Sequence, residues 1–192
     1  MKEIPILMST PMIQAILDER KTETRRIVKK QPHTPGCWIM QGINWLFPNV
    51  NPYVKIKCPY GSIGDVLWVR ETWAKISVPD GTTARKILTE YKADNKVWHD
   101  QIKWKPSIFM PRVACRIRLE VTDIRAERLH SITEEGAIAE GIESKNGVYK
   151  DYLSGEFYRK PKQSYLTLWE SINGKGSWIK NDWVWVIKFK KL

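Results

Sequence analysis

The sequence has few cysteines and few histidines. Its 192 residues contain only three of each. Cys37, Cys58 and Cys115 are odd in number and far apart, which gives no basis for a disulfide framework and is typical of a reducing cytosol. The chain has no Cys-x-x-Cys pair, and its histidines fall in no ligand spacing. We therefore predict neither a metal site nor a cofactor.

Long apolar runs are also missing. Lys2 and Glu3 interrupt the N-terminus, and the apolar stretch that follows is too short for a signal peptide. No segment approaches the length that crosses a bilayer. The sequence therefore predicts a cytoplasmic protein with no membrane partner.

Acidic residues are scarce relative to basic ones. The chain has 32 lysines and arginines against 21 aspartates and glutamates, a formal net charge of +11. Basic residues recur in every segment, so the charge indicates a folded basic face rather than a tail. Such a face favours a polyanionic partner, nucleic acid first. A basic surface that binds nothing is the alternative.

Tryptophan, by contrast, is abundant, with 10 residues. Five lie in segments that read as strand or helix, and we expect them in the core: Trp68, Trp73, Trp169, Trp183 and Trp185. Four others lie in irregular, polar stretches: Trp38, Trp45, Trp98 and Trp104. These either stack on bases or cap a small core under a long loop, and we favour the second interpretation.

Hydrophobic periodicity and turn residues predict one α+β domain over residues 1–192, built as a small mixed β-barrel. The predicted helices cover 10–20, 132–140 and 162–172. The main predicted strands cover 4–7, 21–28, 66–73, 115–121 and 183–189. Three stretches are interpreted as insertions, near 31–63, 77–108 and 143–161, the second with a hairpin turn at Asp94-Asn95.

The segment from Thr10 to Arg26 is the most informative. Thr10 is the predicted N-cap of a helix, with Pro11 at its first position. Residues 21–26 then form a β-compatible stretch in which every side chain is polar or charged. A strand that served stability alone would show an apolar face. The pattern indicates functional side chains directly behind a helix end; the alternative is a solvated edge strand.

The predicted strand 115–121 carries a second basic cluster. Arg116 and Arg118 alternate on its outer face, and Lys103 and Lys105 flank a tryptophan nearby. Basic residues interleaved with aromatic ones are typical of a groove that follows a single-stranded backbone. We assign nucleic-acid binding to these four residues; a solvated strand face is the alternative.

Four stretches, in this order, resemble the ASCH family, a branch of the PUA-like superfamily. Glu19 to Arg26 is similar to its opening motif, a helix ending in Gly-Arg/Lys-Lys-Thr and then x-Thr-x-Arg, with Glu19 in place of the glycine. The other three are Gly64 to Glu71, Leu119 to Asp123 and Ile132 to Ile142. The pattern is most like the longer, tryptophan-rich ASCH proteins of bacteriophages. The resemblance implies a PUA-like pseudobarrel with two or three helices.

The resemblance also implies a cleft lined by Lys21, Thr24 and Glu140. In ASCH proteins with known activity, this cleft hydrolyses the amide of cytidine acylated at its exocyclic amine; other members bind or cleave RNA. The residues leave two schemes open. Lys21 as a base activates Thr24 as the nucleophile. Alternatively, Glu140 activates water while Lys21 and Thr24 stabilise the oxyanion.

Strand parity complicates this site. In a regular strand Lys21 and Thr24 point to opposite faces, so they converge only if Lys21 belongs to the helix end or to a turn. Thr22, Thr24 and Arg26 share a face without that assumption. We assign substrate binding to five polar residues: Arg20, Thr22, Arg26, Arg70 and Glu71.

Two functions of different classes follow from the sequence. A module that binds RNA or single-stranded DNA is favoured by the charge. A hydrolase of a modified nucleoside or base, such as N4-acetylcytidine, is favoured by the polar strand. An enzyme acting on a base within a polymer would combine them, with the base unstacked into the cleft. A ribonuclease and a phage assembly-associated protein are further alternatives; a phage protein would act in the cytoplasm of a bacterial host.

Overall fold

The computed structural model describes residues 1–31, 39–41, 44–46, 55–79, 81, 85–94 and 102–192, with a mixed α+β architecture in which sheet predominates. The strands are β1 (Glu3–Leu7), β2 (Glu23–Ile27), β3 (Ile39–Gln41), β4 (Asn44–Leu46), β5 (Lys55–Ile56), β6 (Val66–Arg70), β7 (Trp73–Pro79), β8 (Arg85–Tyr91), β9 (Arg118–Arg128), β10 (Ser144–Lys145), β11 (Val148–Lys150), β12 (Phe157–Tyr158) and β13 (Trp183–Lys191). The α-helices are α1 (Thr10–Leu17), α2 (Glu134–Ala139) and α3 (Pro161–Asn173).

The central sheet has five strands in the order β1-β6-β9-β13-β2. β1 and β6 are parallel, and the other neighbours are antiparallel. β1 and β2 are the two edges and do not pair, so the predicted barrel is not closed. A side chain joins the edges instead, because Nη2 of Arg26 donates to the Leu7 carbonyl at 2.7 Å. The opening between these edges is where the site lies.

One apolar core holds the sheet and two helices together. Leu67, Leu119 and Val186 lie on the sheet and are fully buried, and Ile13 of α1 and Leu168 of α3 belong to the same cluster. Burial of such side chains contributes about 1.5–3 kcal/mol each. Ile117 is buried too, as predicted, but the bounds of the predicted strand 115–121 are wrong: β9 begins only at Arg118, after the 3₁₀ turn Arg112–Ala114, and continues to Arg128. Residues of both α1 and α3 also line the cavity between β1 and β2.

Three of the five tryptophans expected in the core are buried, and two are only partly buried. Trp73, Trp169 and Trp185 are buried, whereas Trp183 is only partly buried. Trp68 is also partly covered, because its side chain alternates with the buried Leu67 and Val69 and so leaves the core. Trp38 and Trp98, like Cys37, lie outside the described residues.

The helices agree with the sequence in position but not in their caps. The N-cap of α1 is Ser9, and Thr10 is already helical. The N-cap of α2 is Thr133, whose Oγ1 accepts from the Gly136 amide at 3.0 Å, so α2 begins two residues after the start of the predicted helix 132–140. In the described part of the chain, no helix is long and apolar enough to cross a membrane.

The insertions hold small sheets of their own. β3, β4 and β5 form one, and β10, β11 and β12 form another. The prediction of a hairpin turn at Asp94-Asn95 is wrong at Asp94, which lies in a 3₁₀ helix after the paired strands β7 and β8; Asn95 lies outside the described residues. The predicted strand 66–73 breaks after Arg70, because β7 leaves the central sheet.

Candidate functional site

A cavity of about 200 Å³ lies between the two edges of the central sheet. The end of β1 forms one wall, with Leu7, Met8 and Ser9. β2 and Lys21, two residues before it, form another wall, and residues of α3 complete the lining. Pockets for drug-sized ligands measure about 300–1,000 Å³, so this cavity suits one small planar group rather than a longer molecule.

Lys21 occupies the wall of this cavity and is almost fully buried, with its side chain 1% exposed. Its Nζ donates to the carbonyl oxygens of Glu23 and Glu140, each at 2.8 Å, and to Oε2 of Glu140 at 2.7 Å. An ammonium group has three N–H donors, and each of the three has an acceptor here.

The backbone explains how Lys21 reaches the cavity. β2 begins only at Glu23, and Lys21 forms an isolated antiparallel bridge with Glu140 at the end of α2. Lys21 therefore belongs to the connection between α1 and β2, which removes the parity problem. Thr24 is buried and lines the cavity, whereas Thr22 is exposed and points away.

Glu140 sits at the C-cap of α2, and its carboxylate is held by three side chains. Oε2 accepts from Lys21, while Oε1 accepts from Nη1 of Arg25 at 3.2 Å and from the Tyr165 hydroxyl at 3.4 Å. Burial raises the pKa of Tyr165 well above its usual range, so the hydroxyl keeps its proton and donates. The carboxylate therefore faces two cations and one neutral donor.

Arg25 extends the site into a buried ion-pair network. Its side chain is 1% exposed and contacts Glu23 at 2.7 Å and Glu127 at 2.8 Å, besides Glu140. Burial by itself would lower the pKa of Arg25, but these carboxylates outweigh it, so the pKa is raised and the guanidinium stays charged. Removing one partner of such a network costs about 3–5 kcal/mol, because a buried charge remains unpaired.

The protonation state of Lys21 follows from opposing effects. Burial lowers the pKa of Lys21 below its usual value, and the Glu140 carboxylate offsets this effect only in part. A neutral amine has only two N–H groups, so its lone pair would face one of the three oxygen acceptors. The hydrogen bonds therefore favour the ammonium form in the state observed. In that form Lys21 has no lone pair with which to take a proton from Thr24.

Three cavity residues were missed as site residues. Arg25 lies in the polar stretch 21–26 but was assigned no role, Tyr165 lies in the predicted helix 162–172, and Trp169 was expected in the core. Trp169 is buried, and its indole N–H has no hydrogen-bond partner within the described ranges. In a sequence, an aromatic residue at helical spacing looks the same whether it lines a cavity or packs in the core.

The predicted substrate-binding residues divide into two groups. Arg26 lines the cavity, and its Nε is buried without a hydrogen-bond partner. Arg20 does not line it; its guanidinium contacts the Gly141 carbonyl and Asp18. Thr22, Arg70 and Glu71 do not line it either.

Glu71 belongs to a separate buried cluster. It is 1% exposed, and Arg116 binds both of its oxygens, at 2.8 and 2.9 Å. Arg116 also contacts Asp94 at 2.7 Å and lies over the Tyr91 ring at 3.9 Å. Burial raises the pKa of Glu71, and Arg116 opposes this effect. Arg116 therefore forms ion pairs with two carboxylates of the protein itself.

We expect that replacing Arg116 by methionine will lower the free energy of unfolding by about 3–5 kcal/mol, because the buried Glu71 loses its cation. Urea unfolding measures this. The double variant Arg116→Met with Glu71→Leu should recover much of the loss, since two apolar side chains replace the pair. A single variant as stable as the wild type would contradict the structural role.

The other predicted nucleic-acid-binding residues are more accessible. Arg118 has a side chain that is 42% exposed and contacts Glu3 at 3.0 Å. Lys103 and Lys105 are exposed, and Nζ of Lys105 lies 5.2 Å from the centre of the Trp73 ring. These three residues do not line the cavity.

Metal ligands and known relatives give no further assignment. Within the described ranges, no group of three or more histidine, cysteine, aspartate or glutamate residues is placed to hold a metal ion. Burial raises the pKa of the Cys58 thiol to about 11, so the thiol is protonated and unreactive at neutral pH.

Comparison of the chain with protein-family models, curated proteins and solved structures found no match.

Proposed function

We propose that this protein is an ASCH-type hydrolase that removes an acyl group from the exocyclic amine of a cytosine base. The observation that carries the proposal is the buried Lys21–Glu140 ion pair, 2.7 Å long, beside Thr24 in a small cavity. Ion pairs with this burial are costly to desolvate, and one that lines a cavity is a candidate for chemistry.

The open five-stranded sheet supports a PUA-like assignment, which is part of the proposal. In this assignment β1 and β2 are the two sides of a pseudobarrel that leaves its cleft between them. Lys21 and Thr24 match the lysine and the threonine of the ASCH motif in residues 19–26, and both line the cavity, which supports the proposal.

Of the two chemical schemes, the geometry favours Glu140 as the base. Lys21 is held as an ammonium by three acceptors, whereas Glu140 is a carboxylate that can accept a proton. Glu140 takes a proton from water, and the hydroxide adds to the acyl carbon. The C–N bond then breaks, and the same proton passes to the amine nitrogen. The products are cytidine and a carboxylic acid.

Lys21 and Thr24 act on the oxyanion in this scheme. When Glu140 takes up the proton, its carboxylate loses the charge that holds Lys21, and one ammonium N–H becomes available to the oxyanion. The Thr24 hydroxyl is on the same wall. Donors placed this way contribute about 10²–10³ each to the rate.

The direct test is incubation of the purified protein with N4-acetylcytidine, followed by chromatography of the nucleosides. The proposal expects cytidine to form. Labelled RNA incubated in parallel tests the ribonuclease alternative. If neither product forms, with the base free or within a strand, hydrolysis is not the function.

Binding of RNA or single-stranded DNA without chemistry is the second candidate function. The net charge of +11 favours it, since a nucleoside hydrolase does not require that charge.

We expect Lys103→Glu with Lys105→Glu to weaken RNA binding. The slope of log affinity against log salt concentration should become shallower by about 0.7 for each lost phosphate contact. Fluorescence anisotropy at several salt concentrations measures both. Lys175→Glu with Lys180→Glu, also exposed, is the control. Equal losses in both variants would mean that only net charge matters.

A further inference from the structure

An exposed aromatic and cationic surface lies on the outer face of β6, outside the cavity. Trp68 is partly buried there between two guanidinium groups. The Cζ atoms of Arg70 and Arg112 lie 5.4 and 5.8 Å from the centre of its ring. The sequence predicted Trp68 in the core. Its ring lies instead on the outer face of β6 with the two guanidinium groups, so this cluster does not fill the interior.

Apolar side chains extend this surface into solvent. They belong to a segment of two 3₁₀ turns, Ser107–Phe109 and Arg112–Ala114. Ile108, Phe109 and Val113 are 56%, 69% and 93% exposed. The segment is attached to the strand, because Arg70 donates a hydrogen bond to the Ile108 carbonyl. We call Trp68, Arg70, Arg112, Ile108, Phe109 and Val113 the Trp68 surface.

The Trp68 surface adjoins the cavity. Arg70 pairs with Leu7 in the register between β6 and β1, and Leu7 lines the cavity. Paired residues on neighbouring strands lie about 5 Å apart and point to the same side of the sheet. The Nε atom of Arg70 is buried and has no hydrogen-bond partner among the residues that the structure describes. A chain leaving the cavity past Leu7 would therefore meet Arg70 first.

The charge of the surface is positive. Arg112 and Arg118 both contact Glu3, with Arg112 bound to both of its oxygens at 2.8 Å. Arg70 has no carboxylate among its contacts in the described residues. Three guanidinium groups thus face one carboxylate, and guanidinium groups bind phosphate by paired hydrogen bonds.

We propose that the Trp68 surface binds the nucleotides next to the base held in the cavity, so that the substrate is a base within a single-stranded polynucleotide. The inference rests on the proposed hydrolase function. The cavity holds one planar group, and the phosphates and the next base remain outside it. Arg70 and Arg112 provide contacts for phosphate, and Phe109 provides a face on which the next base stacks. A duplex does not fit, because the base must leave its stack.

The test compares two substrates: free N4-acetylcytidine and a single-stranded oligoribonucleotide with one N4-acetylcytidine. The ratio of the two kcat/KM values is measured for the variants Phe109→Ala and Val113→Glu. The second variant adds a charge at an exposed position, so we expect it to fold. Phe157→Ala and Ile179→Glu make the same changes at exposed positions elsewhere, 51% and 81% exposed. We expect the oligonucleotide preference to fall about tenfold in the first pair only.

The outcomes separate the two proposals. If the free nucleoside is hydrolysed but no variant changes the ratio, the Trp68 surface is wrong and the hydrolase stands. If neither substrate is hydrolysed, the proposed hydrolase function is wrong, and the Trp68 surface is tested by fluorescence anisotropy with the labelled oligoribonucleotide. Weaker binding by Phe109→Ala and Val113→Glu supports the Trp68 surface as a nucleotide-binding site. Unchanged binding overturns it. If light scattering shows that these variants dissociate an oligomer while binding is unchanged, the surface contacts protein and the proposal is overturned.

Discussion

Replacing Glu140 by glutamine should lower the hydrolysis of N4-acetylcytidine by about 10²–10⁴, the contribution of a positioned general base. Glutamine keeps the size of the side chain and can still accept from Lys21, but it cannot take up a proton at neutral pH. The measurement is kcat for cytidine release. Undiminished turnover in this variant would exclude Glu140 as the base and return the mechanism to Thr24 as the nucleophile.

Stability must be separated from chemistry in this experiment, because Glu140 is part of a buried network. Lys21→Met alone leaves the carboxylate with Arg25 as its remaining cation, and we expect lower stability together with lost turnover. The double variant Lys21→Met with Glu140→Gln removes both charges. It should be more stable than Lys21→Met and equally inactive. Urea unfolding of the three variants makes the distinction.

Thr24 distinguishes the two schemes, and Thr22 is its matched control. Thr24→Val removes the hydroxyl and keeps the shape. Activity falls to background if Thr24 is the nucleophile, whereas a lost oxyanion donor leaves activity lower by about 10²–10³. Thr22→Val makes the same change at an exposed position and should have no effect on turnover.

The fold could be predicted from the sequence where the pattern was periodic. The alternation at Ile117, Leu119 and Val121 predicted a strand, and these three residues are buried, although the strand begins only at Arg118. The pattern could not predict that the sheet stays open. Closure depends on whether β1 and β2 meet, and these strands are separated in the sheet order by the whole width of the sheet.

The candidate site could be predicted in part. The polar stretch 21–26 drew attention to Lys21 and Thr24, and the resemblance supplied Glu140. Arg116 could not be separated from a solvated arginine, because its partners Glu71 and Asp94 are distant in the sequence. An alternating pattern shows which face a side chain occupies but not which carboxylate from another element lies opposite.

Gly141 is a residue whose role appears only in three dimensions. The sequence identified it as the end of a helix. It has a φ of +83°, and a Cβ built on it would lie 2.7 Å from Cβ of Lys21 and 2.8 Å from Cβ of Ala15. The absence of a side chain therefore allows α1, the end of α2 and the Lys21 backbone to approach one another. Lys21 can occupy its place beside Glu140 because Gly141 has no side chain.

Gly141→Ala should therefore lower both stability and turnover. The left-handed conformation costs an alanine about 1–2 kcal/mol, and the forced contacts in a packed interior add about 1–3 kcal/mol. For a chain of this size, each kcal/mol lowers Tm by about 2–4 °C. Because the new methyl group displaces Lys21, kcat should fall even at temperatures where the variant is folded. Differential scanning calorimetry and the N4-acetylcytidine assay measure the two effects.

Gly147→Ala isolates the backbone contribution. Gly147 has a φ of +77°, but a Cβ there would meet nothing within 4 Å. It lies in the turn between β10 and β11, away from the cavity lining. This variant should lose only the conformational cost, about 1–2 kcal/mol, and keep its turnover. If Gly141→Ala matched it in both stability and kcat, the close approach at Lys21 would not position the lysine, and the ion pair with Glu140 alone would have to do so.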